Sequence, residues 1–355
     1  MKAAIISLES VSSQWTAKAL KRYFEDVDVL NLKDVEITIS GKTAEVLHKG
    51  EPLKKYDCIY AKGSFRYAPI LTSMSTILHK SCFMPNKPEA FTIAHDKLLT
   101  HLQLQNENIP MPRTYLTSTI EGARILLKKV NFPIIMKFPQ GTQGKGVLVA
   151  DSYASASSML DALVALRQPF ILQEYIDTDK TDLRAIVVGD KVVASMKRKA
   201  GEGEERANVH QGGSVEPVQL DEYSKQIAIK TAQAIHSEIC GVDILESAKG
   251  PLVIEANISP GLQGITDATK IDVADKIAAH LFHQTKLFVE GKNKKKSSQI
   301  MAELETEQHK LITTVDFRGT RILLPEIATK ISAIRANDDI EISIDKEHID
   351  VKKFK

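Results

Sequence analysis

In the first third of the chain, apolar runs with the pattern of strands are interrupted by a segment with the apolar spacing of a helix. Residues 3–8, 35–39 and 58–60 are short apolar runs of the kind found in strands, whereas residues 13–24 carry apolar side chains along one side of a helix. Strands that alternate with helices are typical of an α/β domain, and we predict such a domain over residues 1–92.

Farther along, two pairs of apolar runs have the spacing of β-hairpins. Residues 134–138 and 147–150 flank a glycine-rich turn, and residues 183–188 and 191–196 flank Gly189-Asp190, a two-residue turn signal. Three longer segments have helical spacing, and three short apolar runs are further strand candidates. The helical segments are 152–166, 224–239 and 271–288, and the strand candidates are 170–175, 242–245 and 252–256.

Composition narrows the class of protein without indicating a partner. Of the 355 residues, 43% are hydrophobic and 26% are charged, and the formal net charge is +2. So balanced a charge does not predict binding to nucleic acid or to a membrane surface. No apolar run approaches the roughly 20 residues that span a bilayer. The three cysteines lie too far apart for a metal-binding pair or a disulfide framework, so we expect buried or free thiols in a reducing cytoplasm.

The glycine-rich turn has the sequence FPQGTQGKGV and contains Gly141, Gly144 and Gly146. It lies between two strands, which excludes the Rossmann and P-loop contexts because both need a helix to follow. A hairpin whose backbone N–H groups cover phosphates is one interpretation, and a mobile surface turn is the other. Lys137 favours the first, since a lysine in the apolar run PIIMKF needs an anionic partner.

Polar residues also interrupt two neighbouring apolar runs, GVDIL and VIEAN. Because side chains alternate along a strand, Glu255 and Asn257 point the same way, and Asp243 on the adjacent strand can face them. Two carboxylates and an amide on one sheet face repel each other unless a cation compensates. Oxygen ligands without His or Cys suit Mg²⁺ or Mn²⁺. The alternative is a polar edge that faces solvent.

Seven motifs then appear in order and together resemble the RimK-like branch of the ATP-grasp superfamily, the ATP-dependent glutamate ligases. The resemblance covers roughly residues 55–285 and rests on HDK, PIIMKFPQGTQGKGV, QEYI, DLRAIVVGDKVVASMKR, ERANVHQGG, GVDIL and VIEANISPGLQGI. It implies an ATP-grasp fold of mixed α/β and α+β class, in which an N-terminal α/β domain precedes two halves that hold ATP between their sheets. We place the first half, with the glycine-rich hairpin, at 93–182 and the second, with the metal-binding sheet, at 183–290.

The resemblance also implies roles for individual residues. It implies ATP contacts for Lys97, Lys137, Gly141, Gly144, Gly146, Glu174, Tyr175, Ile176, Asp182, Arg206 and Asn208, and metal contacts for Asp243, Glu255 and Asn257. Within the ATP set, the two lysines and the glycine loop would contact phosphates, residues 174–176 the adenine and Asp182 the ribose. Arg184 and Arg198 are the catalytic candidates, because a planar guanidinium can bind two oxygens of an acyl phosphate.

The reaction implied is a carboxylate–amine ligation. ATP phosphorylates an acceptor carboxylate, and the amine of glutamate or a similar amino acid then displaces phosphate. The acceptors implied are a protein tail, a small peptide or a cofactor such as a pterin or deazaflavin. The alternative from another class is a nucleotide-sensing regulator with a DNA-binding C-terminal module.

The C-terminal part is predicted to be a separate small unit. Lysine-rich residues 291–308 have the composition of a solvated linker. Residues 309–355 predict two strands around an Arg-Gly turn, a short helix and a strand hairpin, an order that weakly resembles the AbrB-type swapped-hairpin module. This unit has nine Lys and Arg against eight Asp and Glu, so we favour homo-oligomerisation or docking over DNA binding.

Overall fold

The computed structural model describes the chain in two compact units, Met1–Lys292 and Asn293–Lys355. Its description omits residues 118, 139–145, 166–168, 202–212, 306–315, 327, 329–331, 333, 347 and 355, and it covers the backbone alone at 293–305.

The strands of the N-terminal region form one parallel sheet and one antiparallel sheet. The parallel sheet has the order β2-β1-β6, and the antiparallel sheet has the order β3-β4-β5. Residues 3–6 of the central strand are fully buried, which explains the uninterrupted apolar run there. The strands are β1 Lys2–Ser7, β2 Asp26–Asn31, β3 Val35–Ile39, β4 Ala44–His48, β5 Glu51–Pro52 and β6 Cys58–Ala61.

A four-stranded antiparallel sheet follows, in the order β7-β10-β8-β9. Its strands are β7 Thr114–Tyr115, β8 Ile134–Lys137, β9 Val147–Ala150 and β10 Ile171–Glu174. The predicted hairpin of β8 and β9 is confirmed by their pairing, with Lys137 opposite Val147. Gly146 at its base has φ +79°, and a Cβ there would lie 2.0 Å from the ring of Phe138. A glycine is therefore required at this position.

A five-stranded antiparallel sheet forms the second half, in the order β13-β12-β11-β14-β15. Its strands are β11 Thr181–Val188, β12 Lys191–Lys199, β13 Ser214–Pro217, β14 Ile239–Ser247 and β15 Gly250–Asn257. The predicted turn at Gly189 is confirmed, with φ +64° at that glycine. Side chains of β11 alternate between two cores: Leu183 and Val187 enter one, and Ile186 and Val188 enter the other.

Nine helices are described. They are α1 Val11–Leu20, α2 Ala68–Leu78, α3 Pro88–Ile93, α4 Lys97–Asn106, α5 Ile120–Leu127, α6 Tyr153–Ala165, α7 Glu222–Ala234, α8 Gln263–Thr269 and α9 Val273–Glu305. The helix expected over 224–239 was predicted too long, because His236 takes a left-handed φ of +58° and Ile239 begins β14. Segment 291–308, expected to be a linker, is helical as far as Glu305. Among the described residues, no helix is long and apolar enough to cross a membrane.

The unit Asn293–Lys355 contains two hairpins, as its sequence predicted. Strands β16 Asp316–Arg318 and β17 Arg321–Leu323 pair around Gly319, whose φ is +69°, and β18 Ile340–Asp345 pairs with β19 His348–Lys353. Residues of all four strands are largely exposed, including the apolar side chains of Phe317 and Ile344. Only parts of the predicted short helix fall within the residues that the structure describes.

Candidate active site

Lys137 ends β8 beside a small polar network on the four-stranded sheet. Its Nζ donates a 2.5 Å hydrogen bond to Oε1 of Gln173. The amide nitrogen of Gln173 donates to Oγ1 of Thr114 at 2.8 Å and lies 3.4 Å from Nε2 of His101. Burial lowers the pKa of Lys137 to about 8, although the nearby Glu255 carboxylate opposes this effect. The predicted phosphate lysine is thus held in place by a side-chain amide and lies near a carboxylate of β15.

The motif HDK forms the start of α4. Asp96 is the N-cap, and its Oδ1 accepts hydrogen bonds from the backbone nitrogens of Leu98 and Leu99 at 2.9 and 3.1 Å. This cap fixes Lys97 at the first helical position, and His101 follows it by four residues, on the same face of the helix. Burial, together with the charges of Lys137 and Lys97, lowers the pKa of His101 to about 4. The charges of both lysines therefore act on the same imidazole.

Four charged residues form a network on one face of the five-stranded sheet. Arg184 lies opposite Asp243 in the register, and Arg198 lies opposite Asp182. Each arginine donates two hydrogen bonds to its partner carboxylate, all between 2.6 and 2.7 Å. Nη2 of Arg198 also lies 2.9 Å from Oδ2 of Asp243. Burial would raise the pKa of Asp243, but the two guanidinium groups outweigh it and lower that pKa to about 2.

The predicted alignment of Asp243 with Glu255 is present. The two residues are directly opposite in the β14–β15 pairing, and Asn257 lies two residues beyond Glu255 on the same strand. All three side chains therefore lie on one sheet face. They supply only oxygen donors of the type that Mg²⁺ prefers, so the chemistry of the set fits the ion. Among the described residues, no group of three or more His, Cys, Asp and Glu side chains forms a metal-ligating cluster.

The residues predicted to contact adenine, 174–176, lie at the end of β10 and directly after it. The backbone nitrogen of Glu174 donates to the carbonyl of Arg113 at 2.8 Å, and Oε2 of Glu174 accepts from the nitrogen of Arg113 at 3.3 Å. Tyr175 and Ile176 follow and are partly buried. Gly141, Gly144, Arg206 and Asn208 lie outside the described residues, so their predicted roles stay predictions.

Sequence reasoning missed three members of the Lys137 network and the burial of Lys62. Gln173 belongs to the motif QEYI, and its alternation with Glu174 could have shown that it faces inward. The spacing of four between Lys97 and His101 was also available. Nothing local distinguishes Thr114, or shows that Lys62 is buried with 4% exposure.

A family model described as the RimK-like ATP-grasp domain matches residues 94–281. The chain belongs to the RimK-like ATP-grasp family. A protein named "Probable alpha-L-glutamate ligase" from Thioalkalivibrio sulfidiphilus is 35% identical over 289 residues, which are 79% of this chain and 95% of that relative.

Two solved structures share the fold. The ATP-grasp ligase PsnB, complexed with a minimal precursor, has a TM-score of 0.63 at 16% identity and covers 80% of this chain and 98% of its own. A RimK domain ATP-grasp protein from Sphaerobacter thermophilus has a TM-score of 0.61 at 15% identity. The match covers 79% of this chain and 99% of that protein's chain. The RimK-like chain is thus an ATP-dependent ligase that joins a carboxylate to an amine. The alternative of a regulator gains no support from these comparisons.

Proposed function

We propose that this RimK-like ligase adds glutamate, through its amine, to a carboxylate of an acceptor. The name of the Thioalkalivibrio sulfidiphilus relative supports glutamate as the amino acid. The observation that carries the proposal is the proximity of the Lys137 ammonium on one sheet to the Glu255 carboxylate on the other. A cation for phosphates and a carboxylate for a metal thereby lie close together, as phosphoryl transfer requires.

Phosphate binding is assigned to the four-stranded sheet, which carries Lys137, and to α4, which begins at Lys97. Lys97 and Lys137 would neutralise phosphate oxygens of ATP, and the 141–146 turn would cover them. Gln173 holds Lys137 by the 2.5 Å hydrogen bond, so the ammonium needs little rearrangement when the phosphates arrive. Residues 174–176 would contact adenine, and Asp182 the ribose.

Asp243, Glu255 and Asn257 would hold Mg²⁺, or Mn²⁺ in its place. Such an ion would neutralise charge on the phosphates. In the structure Asp243 accepts from Arg184 and Oδ1 of Asn257 accepts from the nitrogen of Ser259 at 2.9 Å. The arginine network is electrically balanced, with two arginines and two aspartates, so a cation at Asp243 would free positive charge on Arg184.

The positive charge freed on Arg184 would act on the two bond-forming steps of the ligation. In the first step, an acceptor carboxylate oxygen bonds to the γ-phosphorus, and the bond between that phosphorus and the β–γ bridging oxygen breaks to release ADP. In the second, the amine nitrogen bonds to the acyl carbon, the carbon–oxygen bond to phosphate breaks and the amine loses a proton. Arg184 and Arg198 would stabilise the negative charge that develops on these oxygens.

Release of ADP, measured with a panel of amino acids and with peptides that end in a carboxylate, tests this assignment. We expect ADP release that depends on glutamate and an acceptor, with a product heavier by one glutamate residue in mass spectrometry. Glu255→Ala should abolish turnover, whereas Glu246→Ala, on the exposed side of β14, should retain it. Turnover in Glu255→Ala at the wild-type rate would contradict the metal assignment, and ADP release with other amino acids alone would contradict glutamate.

The C-terminal unit is proposed to join copies of this chain. Strand β18 presents Ile340, Ile342 and Ile344 on one face, each at least 42% exposed, and isolated two-stranded hairpins are marginally stable in water. A second copy would cover these side chains. DNA binding by this unit is less favoured because its charges nearly balance.

A further inference from the structure

The side-chain amide of Gln173 lies between Lys137 and two further side chains. Gln173 is 2% exposed, and its oxygen accepts the hydrogen bond from Lys137. Its nitrogen donates to Oγ1 of Thr114 at 2.8 Å and lies 3.4 Å from Nε2 of His101. An amide has an accepting oxygen and two donating N–H groups. The three contacts therefore give every polar group of this amide a partner.

Three of these side chains share one face of the four-stranded sheet. Gln173 on β10 lies directly opposite Thr114 on β7 and Ile135 on β8. Lys137 follows Ile135 by two residues on β8. Because side chains alternate along a strand, Thr114, Gln173 and Lys137 point to the same side. His101 reaches this side from α4, so the sheet and the helix each supply one contact for the amide nitrogen.

The partners of the amide allow only one of its two orientations. The ammonium of Lys137 can only donate, so the amide oxygen must face it. The hydroxyl of Thr114 donates to the carbonyl of Pro112 at 3.0 Å, so it accepts from Gln173. Reversing the amide would place its NH₂ group against the ammonium and its oxygen against an oxygen that has already donated its hydrogen. Thr114 thus determines which end of the amide Lys137 meets.

His101 completes this orientation as a neutral imidazole. The second N–H of Gln173 points at Nε2 and needs an acceptor there, so Nε2 is bare and Nδ1 carries the proton. Burial, together with the charges of Lys137 and Lys97, lowers the pKa of His101 to about 4, which agrees with an uncharged ring at neutral pH. In the part of the chain that the structure describes, Nδ1 has no hydrogen-bond partner. Such a buried N–H lowers stability, so stability alone does not account for this histidine.

We propose that Thr114 and His101 are positioning residues for ATP, which act through Gln173 on the ammonium of Lys137. This inference rests on the proposed contact of Lys137 with phosphate. The two acceptors hold the amide with its oxygen toward the ammonium before the nucleotide binds, so less ordering remains to be done on binding. Without either acceptor the amide is free to turn, and its charge-assisted hydrogen bond to the ammonium weakens.

The first test measures binding of a non-hydrolysable ATP analogue to the full chain by calorimetric titration. Thr114→Val keeps nearly the same shape without the acceptor, and we expect it to raise the Kd about fivefold to tenfold. Thr114→Ser retains the hydroxyl and should recover most of this loss. Thr92→Val, at an exposed position of α3, is the matched control and should bind like wild type.

The histidine is tested in the same titration. His101→Leu should raise the Kd about threefold to fivefold, a smaller effect because the contact that it removes is longer. His101→Gln, whose amide oxygen can accept, should recover part of this loss. An unchanged Kd in both Thr114→Val and His101→Leu would overturn the proposal.

Double variants test whether both side chains act through Gln173. When Thr114→Val or His101→Leu is added to Gln173→Leu, the Kd should change by less than about twofold, because the amide that they orient is gone. If the separate losses instead multiply, the proposal is wrong, since each side chain would then affect the nucleotide by another route.

Nitrogen-15 NMR tests the histidine in the wild-type protein, because a bare ring nitrogen and an N–H have different chemical shifts. With His101 assigned by the signals that disappear in His101→Gln, we expect the bare nitrogen at Nε2 and the proton at Nδ1. A proton on Nε2 at neutral pH would overturn the role of His101.

Lys137→Met separates this inference from the choice of substrate. An unchanged Kd for the analogue in Lys137→Met would remove the phosphate contact, and the inference with it. If ADP release does not depend on glutamate, the proposed amino acid is wrong, while the pattern of Kd values described above still upholds the inference.

Discussion

The guanidinium of Arg184 donates two hydrogen bonds to the carboxylate of Asp243, at 2.7 and 2.6 Å, from the directly opposite position on the neighbouring strand. Both residues are largely buried, with side-chain exposures of 19% and 5%. Since Arg198 also contacts Asp243, one carboxylate balances charge from two arginines. Its loss would leave buried positive charge uncompensated.

Asp243→Asn is therefore expected to lower both stability and activity. Removing one partner of a buried ion pair costs about 3–5 kcal/mol, which denaturant unfolding can measure. Ligase activity should fall at least a hundredfold. Glu246→Gln on the same strand breaks only an exposed 3.4 Å ion pair with Lys197 and should change stability by less than about 1 kcal/mol. Equal stability of the two variants would show that the buried network contributes little.

A second prediction concerns the support of Lys137. Gln173→Leu removes the acceptor of its 2.5 Å hydrogen bond while keeping a similar side-chain volume. A hydrogen bond to a charged group contributes about 1.5–3 kcal/mol, so KM for ATP should rise about tenfold to a hundredfold. Gln105→Leu, at an exposed position of α4, is the matched control. An unchanged KM for ATP in Gln173→Leu would show that Lys137 is positioned without this amide.

The base of the glycine-rich hairpin gives a third prediction. Gly146→Ala places a Cβ 2.0 Å from the Phe138 ring at a φ of +79°, so both sterics and backbone conformation oppose it. We expect a loss of roughly 1–3 kcal/mol in unfolding free energy and a higher KM for ATP. Gly41→Ala has open space around its Cβ and should be neutral. A neutral Gly146→Ala would mean that the hairpin tolerates another backbone conformation.

These relationships differ in how far the sequence could predict them. The pairing of Asp243 with Glu255 follows from two adjacent strands joined by a short turn, where alternation fixes the faces. The pairing of Arg184 with Asp243 depends on the register of strands 59 residues apart, which no local pattern specifies. The early end of α7 depends on His236 at φ +58°, a conformation that helix propensity does not predict for histidine.

The C-terminal hairpin supplies a fourth prediction, on assembly. Ile344 is 75% exposed and lies on the apolar face of β18, whereas Ser343 lies on the opposite face. If copies associate through the apolar face, Ile344→Lys should weaken the oligomer and Ser343→Lys should not. Light scattering coupled to size-exclusion chromatography would measure the mass of each. A wild-type chain that is monomeric at all concentrations would rule out this mode of association.

The last prediction is that the buried Lys62 destabilises the fold. The ordinary lysine pKa is 10.5, and burial lowers the pKa of Lys62 to about 8, which costs the folded state roughly 3 kcal/mol at neutral pH. This cost is fully present below pH 8, where the folded protein keeps the proton. It falls as pH rises from 8 to 10.5, because the folded protein then releases a proton that the unfolded chain still holds.

At pH 7, Lys62→Met should accordingly have a free energy of unfolding roughly 1–3 kcal/mol above that of wild type. This advantage should shrink toward pH 10.5. Taking the difference between the two proteins cancels the contributions of other titrating groups such as Lys137. A Lys62→Met protein less stable than wild type at pH 7 would instead indicate that the ammonium has a stabilising partner within the fold.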